Sequence, residues 1–341
     1  MKIAVDAQLT VGTATGIGEY VGGLAGALRA LGVDLVELKE PGLDPWRFDR
    51  RVLWDQIVLP RRARSSGADL LHCASGTLPL RCALPIVATV HDVAWLRVQA
   101  HARPYARYYF GPFALARYRE AARIVVDSAF SRGELLELLG DFDAARVEAV
   151  YPGVANDFCA LERGTGDGRT ILAVGTVERR KNLELLVRCL PALRHARIVS
   201  VGPSTPYRGE CEALARKLGV EDRLEFRGYV ARRDLLSLYA SCAVVALPSR
   251  YEGFGYPAAQ ALCAGTPCVV SDRSSLPEVA GGDATVVALD DAAAWTGALA
   301  AAMRGDDDAR AAAARSRAQQ RFAWTASARA MVRIYEASVG G

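Results

Sequence analysis

The chain has 341 residues, 51% of them hydrophobic and 23% charged, with a formal net charge of +4. That length is roughly two domains, and that much apolar material excludes a disordered polymer. The small charge gives no general case for nucleic-acid binding, which needs a concentrated basic face, and no apolar run approaches the ~18 residues that a membrane-spanning helix requires.

Lys2–Ala7 is a short apolar strand pattern, and its closeness to Met1 predicts no leader peptide and a cytoplasmic protein. A glycine-rich turn follows from Gly12 to Gly18, then an apolar-periodic helix from Tyr20 to Leu31 with Leu24, Leu28 and Leu31 on one face. Further buried strands are expected at Leu70–Cys73, Pro85–Val90 and Arg123–Val126. Helices are expected at Pro112–Ala122 and at Ser131–Leu139, with Ser131 as its cap. Alternating strands and helices imply a parallel sheet covered on both faces.

Around Val150–Asp167 the pattern breaks into turn and loop chemistry, with Tyr151-Pro152-Gly153 and then Gly164–Gly168. The domain boundary is placed there, giving domains 1–160 and 161–320 and a terminal helix in 321–341. The strand–glycine–helix unit restarts at Thr170–Gly175, with a helix from Leu183 to about Leu193. Strands are expected at Arg197–Val201, Leu224–Phe226, Ala243–Leu247 and Pro267–Val270. The last helix, Phe322 to about Ser338, offers Trp324, Met331, Ile334 and Tyr335 for packing. The eight cysteines form no CxxC pair and read as buried, reduced thiols.

In an open α/β sheet, ligands bind beyond the carboxyl ends of the strands, so residues just after strands carry the functional reading. Pro248–Pro257 is a two-glycine loop entering a helix at Ala258–Ala264. Backbone N–H groups there suit an anion, with Glu252 beside it to accept from sugar hydroxyls; an ordinary glycine turn with a solvated glutamate is the alternative. Gly175–Asn182 carries Arg179, Arg180 and Lys181 where a phosphate would sit, the alternative being a solvated charge run. Only four lysines occur in the chain, which makes Lys181 the more conspicuous. His91 and Asp92 follow a strand of the first domain, where a structural histidine is the alternative.

Taken together and in order, these segments resemble the retaining glycosyltransferases of family 4. The resemblance rests on Gly16–Tyr20, Thr89–Asp92, Asp127–Ser131, Val174–Thr176, Arg180–Asn182, Phe226–Val230, Pro248–Pro257, Ala264–Pro267 and Leu276–Val279, together with the tryptophan-bearing last helix. It implies the α/β GT-B fold: two Rossmann-like, doubly wound domains facing across a cleft, with the C-terminal helix crossing back to the first. It implies transfer of a hexose from a nucleotide-diphosphate sugar to an acceptor hydroxyl with retention and without a metal or other cofactor. GDP-mannose, UDP-glucose and a dTDP-sugar all fit as donors; a glycan, a lipid-linked sugar or a small metabolite fits as acceptor. Arg180 and Lys181 would hold the diphosphate, joined by backbone of Gly253, Phe254, Gly255 and Tyr256 and by Gly16 and Gly18. Tyr229 and Val230 would border the base, Glu252 would hold the transferred sugar and His91 would lie near the reacting centre.

Two positions depart from the family pattern. Thr176 stands where many relatives have an arginine, and Gln260 stands where the family has a second glutamate that binds the ribose. An amide has one acceptor and one donor group, so weaker binding or a changed nucleotide preference is expected. An epimerase of the same architecture and a non-catalytic partner subunit are the competing readings. The Asp306–Asp308 run reads as a solvated loop. The arginine- and tyrosine-rich stretch from His101 through Arg103 to Arg123 suits either peripheral contact with an anionic inner-membrane surface or a partly buried helix.

Overall fold

The computed structural model describes residues 1–12, 16–98, 103–164, 166–304 and 308–339. Asp306 and Asp307, His101, Thr165 and part of the Gly12–Gly18 turn lie outside the described residues. The chain divides into two compact units, one of Met1–Ala155 with the segment from Phe322 onward, the other of Asn156–Arg321.

The first unit is a six-stranded, all-parallel sheet of β1 (Lys2–Asp6), β2 (Asp34–Leu38), β3 (Leu70–Cys73), β4 (Ile86–Val90), β5 (Arg123–Val126) and β6 (Val147–Ala149), in the order β2-β1-β3-β4-β5-β6. The central β3 and β4 are buried along their whole length, as a sheet with helices on both faces demands. The second unit repeats the plan with β7 (Thr170–Val174), β8 (Arg197–Val201), β9 (Leu224–Gly228), β10 (Val244–Leu247), β11 (Cys268–Ser271) and β12 (Thr285–Val287), in the order β12-β11-β10-β7-β8-β9. Its core gathers Ile171, Leu186, Ile198, Val244, Val269 and Trp295.

Strand order reverses between β1 and β3 in the first unit and between β7 and β10 in the second. A reversal opens a crevice at the carboxyl ends of the two strands that flank it. Arg180 and Lys181 follow β7 and the Glu252 loop follows β10, so these two sequence segments flank one such reversal.

Several helix ends differ from the sequence expectation. The Ala129–Leu139 helix is capped by Ser128, whose hydroxyl accepts from the Ser131 amide at 3.0 Å; Ser131 lies inside the helix because an N-cap bonds the amide three residues on. The Pro112–Ala122 helix starts earlier and stops earlier, running through Pro104–Tyr108, a π-helical turn Tyr109–Phe113 and Ala114–Tyr118. Pro104 begins it, where a missing N–H costs nothing. The widened turn takes in Pro112, which cannot make an ordinary helical hydrogen bond. The helix after Lys181 ends at Cys189.

The last helix, Trp324–Val339, belongs to the first unit. Met331, Ile334 and Tyr335 are wholly buried, each contributing about 1.5–3 kcal/mol. Tyr335 also reaches the sheet, its hydroxyl 2.8 Å from His72 Nδ1, while His72 Nε2 lies 2.8 Å from Thr89 Oγ1. Burial pushes the His72 ring down to about 3, so it is neutral. Trp324 packs between Gly23 and Gly153, and a Cβ on either glycine would fall inside the indole.

Candidate active site

In the second unit, β7 is followed at once by Gly175, whose φ of +131° suits glycine. A Cβ there would sit 3.3 Å from Lys181 Cε and 3.5 Å from its ammonium, so the missing side chain makes room for the lysine. Gly202, at the end of β8, meets the Gly175 carbonyl so closely that any Cβ would strike it. The chain then turns through Arg179–Lys181, and Asn182 takes a left-handed conformation with φ 54° before the next helix starts.

The loop after β10 folds against that turn. Lys181 Nζ lies 2.6 Å and 2.8 Å from the two carboxylate oxygens of Glu252, and Arg180 Nη1 is 3.3 Å from Oε2. Ser249 Oγ donates to Oε1 at 2.6 Å, and the Glu252 amide donates to Ser274 Oγ at 2.9 Å. The residue is 5% exposed. Burial alone would raise its pKa, but the charges of Lys181 and Arg180 outweigh it and hold the carboxyl below the ordinary glutamate range. Arg180 also pairs with Glu178 at 2.7 Å and donates to the Tyr251 carbonyl. The Arg250 guanidinium donates to Asn182 Oδ1 at 3.1 Å.

Among the described residues two non-glycine residues have positive φ, Asn182 and Ser274, both near 54°. Both bond into this cluster. Backbone held in a sparsely populated region costs of order 1–3 kcal/mol and gathers at functional sites.

The Tyr256–Ala264 helix begins after Gly255, whose φ is +88° and whose place a Cβ could not share with Leu276. Pro257 has no N–H, and Ala258 and Ala259 donate to the Gly255 carbonyl. Gly253, Phe254 and Gly255 lead into this helix, and Tyr256 is its first residue. Gln260 is buried on the same helix, its carbonyl oxygen accepting from Tyr239 Oη at 3.0 Å. Tyr229 is exposed and Val230 half-buried just past β9, two strands from β7, or about 10 Å at ordinary strand spacing.

In the first unit, His91 follows β4 and meets Asp127, which follows β5: Nδ1 is 2.7 Å from Oδ2. Its Nε2 is 3.0 Å from the Ala74 carbonyl beyond β3. Tyr20 stands edge-on to the ring at 4.8 Å. Burial works to lower the His91 pKa, but Asp127 and the Ala74 carbonyl together raise it above the ordinary value. Both ring nitrogens face acceptors, which suits the doubly protonated ring. Gly16 opens the Gly16–Ala30 helix exposed, with Gly18 half-buried one position beyond Ile17.

Sequence reasoning passed over a second polar cluster in this unit. Asp6, at the end of β1, accepts from Trp54 Nε1 at 2.9 Å and from Ser75 Oγ at 2.8 Å. Arg51 Nε donates to Asp55 Oδ2 at 2.9 Å, and Tyr109 Oη donates to the same oxygen. All three charged residues are buried. Asp6 at the end of an apolar strand is the available signal; nothing local marks Arg51 or Asp55.

Two Rossmann-like sheets in tandem, with the terminal helix returned to the first, make up the GT-B fold. Two family models match, Glycosyltransferase Family 4 over residues 14–158 and Glycosyl transferases group 1 over residues 168–304. The chain belongs to glycosyltransferase family 4. It is 33% identical over 280 residues to a D-inositol 3-phosphate glycosyltransferase of Xylanimonas cellulosilytica, covering 74% of this chain and 66% of the relative. It is 28% identical over 277 residues to an MMP alpha-(1->4)-mannosyltransferase of Mycolicibacterium hassiacum, covering 75% and 66%. The matched part thus spans just under two thirds of those relatives. Among solved structures, a sucrose-phosphate synthase of Thermosynechococcus elongatus superposes with a TM-score of 0.75 at 22% identity, covering 98% of both chains. Anabaena HepE in complex with UDP-glucose gives 0.75 at 16% identity, covering 98% of this chain and 99% of the other.

Proposed function

We propose that this chain is a glycosyltransferase that moves a hexosyl group from a nucleotide-diphosphate sugar to an acceptor hydroxyl, with retention and without a metal. The observation that carries the reading is the Lys181–Glu252–Arg180 cluster at the strand reversal of the second unit. Lys181 and Arg180 retain partial exposure while the carboxylate they neutralise is buried. A diphosphate arriving there would draw the ammonium away from one carboxylate oxygen. That oxygen is then available to a hydroxyl of the transferred sugar. One cluster would thereby bind both halves of the donor, Lys181 and Arg180 with Gly253–Tyr256 taking phosphate oxygens, and Tyr229 and Val230 bordering the base.

In the reaction the bond from the anomeric carbon to the diphosphate oxygen breaks through an oxocarbenium-like state. The acceptor oxygen bonds to the anomeric carbon from the same face, and its proton passes to the departing phosphate. Charge gathers on the leaving diphosphate, so fixed cations stabilise the transition state more than the ground state. His91, whose pKa Asp127 and the Ala74 carbonyl raise, would act near the reacting centre. A mannosyltransferase among the relatives supports a mannosyl donor, and the HepE complex supports UDP-glucose; GDP-mannose, UDP-glucose and a dTDP-sugar all fit the reading.

We place the activity in the cytoplasm, with contact to an anionic inner-membrane surface when the acceptor is lipid-linked. No helix among the described residues is long and apolar enough to cross a membrane. Exposed Tyr105 and Tyr108 support such contact, as does an open cavity of about 750 Å³ in the first unit lined by Arg61, Arg64, Arg81 and Arg117.

The test is calorimetric titration with GDP, UDP, dTDP and ADP, in chelator and then in magnesium. One nucleotide is expected to bind tightly in both buffers, and the matching sugar nucleotide to turn over only with an acceptor present. Turnover without acceptor would favour an epimerase, and no binding at all a partner subunit. The same titration on Gln260→Glu is expected to tighten binding of the ribonucleotide at least threefold, because a carboxylate keeps the Tyr239 bond and adds an acceptor. An unchanged preference would remove Gln260 from the ribose site.

A further inference from the structure

The short helix Leu59–Ser65 carries three arginines within four positions, and they go to two places. Arg62 turns to the Glu40 carboxylate and the Lys39 carbonyl. Arg61 and Arg64 are three positions apart, hence on one face of the helix, and line the open cavity of about 750 Å³. Arg81 lines it from the segment joining β3 to β4, and Arg117 from the Ala114–Tyr118 helix. Among the described residues none of these four has an ion-pair partner, and Glu120 is the one acid in the cavity wall. Arginines elsewhere are met by acids, as Arg29 is by Glu37, Arg97 by Glu134 and Arg208 by Glu212.

The wall that carries Arg81 is braced. Gln56 Nε2 donates to the Leu78 carbonyl at 3.1 Å, and its Oε1 accepts from the Leu80 amide at 2.8 Å. Arg117 spans the same turn, donating to the Pro79 and Leu80 carbonyls at 3.3 Å and 3.2 Å. Its Nε is buried with no hydrogen-bond partner among the described residues. Ile57 and Leu80 also line the cavity and remain 42% and 56% exposed, which gives it an apolar rim. Pro85 precedes β4 and Ala122 precedes β5, so the cavity reaches the amino ends of these strands. His91 follows the opposite, carboxyl end of β4.

Four guanidiniums around one space repel one another, and one carboxylate cannot offset them. A compact group with a charge near −2 can, and a phosphate carries that charge on oxygens that match the guanidinium fork. The volume is that of an ordinary small-ligand site, and the apolar rim suits the body to which a phosphate is attached. We propose that this cavity is a second anion site, taking a phosphate group borne by a small molecule or by a phospholipid headgroup. The proposal goes beyond the transfer reaction and does not depend on it.

The soluble arm of the experiment titrates inorganic pyrophosphate calorimetrically into the full chain carrying Lys181→Met and Glu252→Gln, which removes the donor-side lysine and glutamate charges. The lipid arm sediments the unaltered chain with phosphatidylglycerol vesicles, with phosphatidylcholine vesicles as the reference. Adding Arg61→Gln and Arg64→Gln is expected to weaken binding at least tenfold in one arm or both. Both residues are exposed, so the fold tolerates the change. Adding Arg216→Gln and Arg233→Gln instead, two exposed arginines of the second unit, is expected to leave binding within twofold. Loss confined to the pyrophosphate arm assigns a soluble phosphate, and loss confined to the vesicle arm a lipid headgroup. Equal loss in the two arginine pairs shows general charge attraction and overturns the proposal. Binding that survives Arg61→Gln with Arg64→Gln, or no binding of either probe before that change, overturns it as well.

Discussion

Lys181→Met is expected to weaken nucleotide-diphosphate binding at least 100-fold and, separately, to destabilise the protein by about 3 kcal/mol. The first effect follows from loss of a phosphate-facing point charge. The second follows from Glu252, which is left in the interior with Arg180 at 3.3 Å and the Ser249 hydroxyl as its side-chain partners; breaking a buried pair costs roughly 3–5 kcal/mol. The two effects separate in the double variant Lys181→Met with Glu252→Gln. Removing both charges from a buried pair is often close to neutral, so stability is expected to return while binding stays lost. Urea unfolding and calorimetry read the two quantities. Binding within threefold of the parent in the single variant removes Lys181 from the diphosphate site, and a double variant as unstable as the single one refutes the neutralisation argument. The folded pKa of Glu252 is depressed, so its contribution is present above the unfolded glutamate value of about 4.3 and lost as pH falls through the folded one.

Asp127→Asn is expected to cut transfer at least tenfold with little change in nucleotide affinity, and to flatten the dependence of stability on pH near neutrality. His91 bonds an acceptor at each nitrogen, and its pKa is raised in the fold. Stability from the pair is therefore fully present below the unfolded histidine value of about 6.5 and lost as pH rises through the folded value. With an amide at 127 the ring loses its counter-charge and its pKa falls, while the amide NH2 can donate to a bare Nδ1 and Nε2–H can still donate to the Ala74 carbonyl. Unfolding midpoints measured from pH 5.5 to 9 test this. Parallel curves for parent and variant would show that the Asp127 contact does not hold the proton.

Every strand missed in the sequence lies at a sheet edge, although one edge strand, Leu224–Gly228, is legible there. Leu70–Cys73, Ile86–Val90 and Val244–Leu247 are covered on both faces and appear as unbroken apolar runs. The missed strands, Asp34–Leu38, Val147–Ala149 and Thr285–Val287, all lie at sheet edges and keep exposed residues. Their pairing is decided by neighbours, which no local pattern records. The site behaved similarly. Lys181, Arg180 and Glu252 are visible because charge directly after an apolar strand is unusual. That Asn182 and Ser274 hold strained backbone, and that Arg51, Asp55 and Asp6 meet in the interior, depends on contacts between segments tens of residues apart.

Because the helix holding Trp324 and Tyr335 completes the first unit while the second unit is continuous in the chain, order of synthesis and order of folding part company. The ribosome makes Met1–Ala155 first, yet that segment lacks the helix that fills its core until almost everything else has emerged. Asn156–Arg321 needs no later residue and can become native while its elder neighbour waits. The half-made protein is thus a finished second unit tethered to an unfinished first one, whose uncovered sheet face is for that interval a natural client for a chaperone.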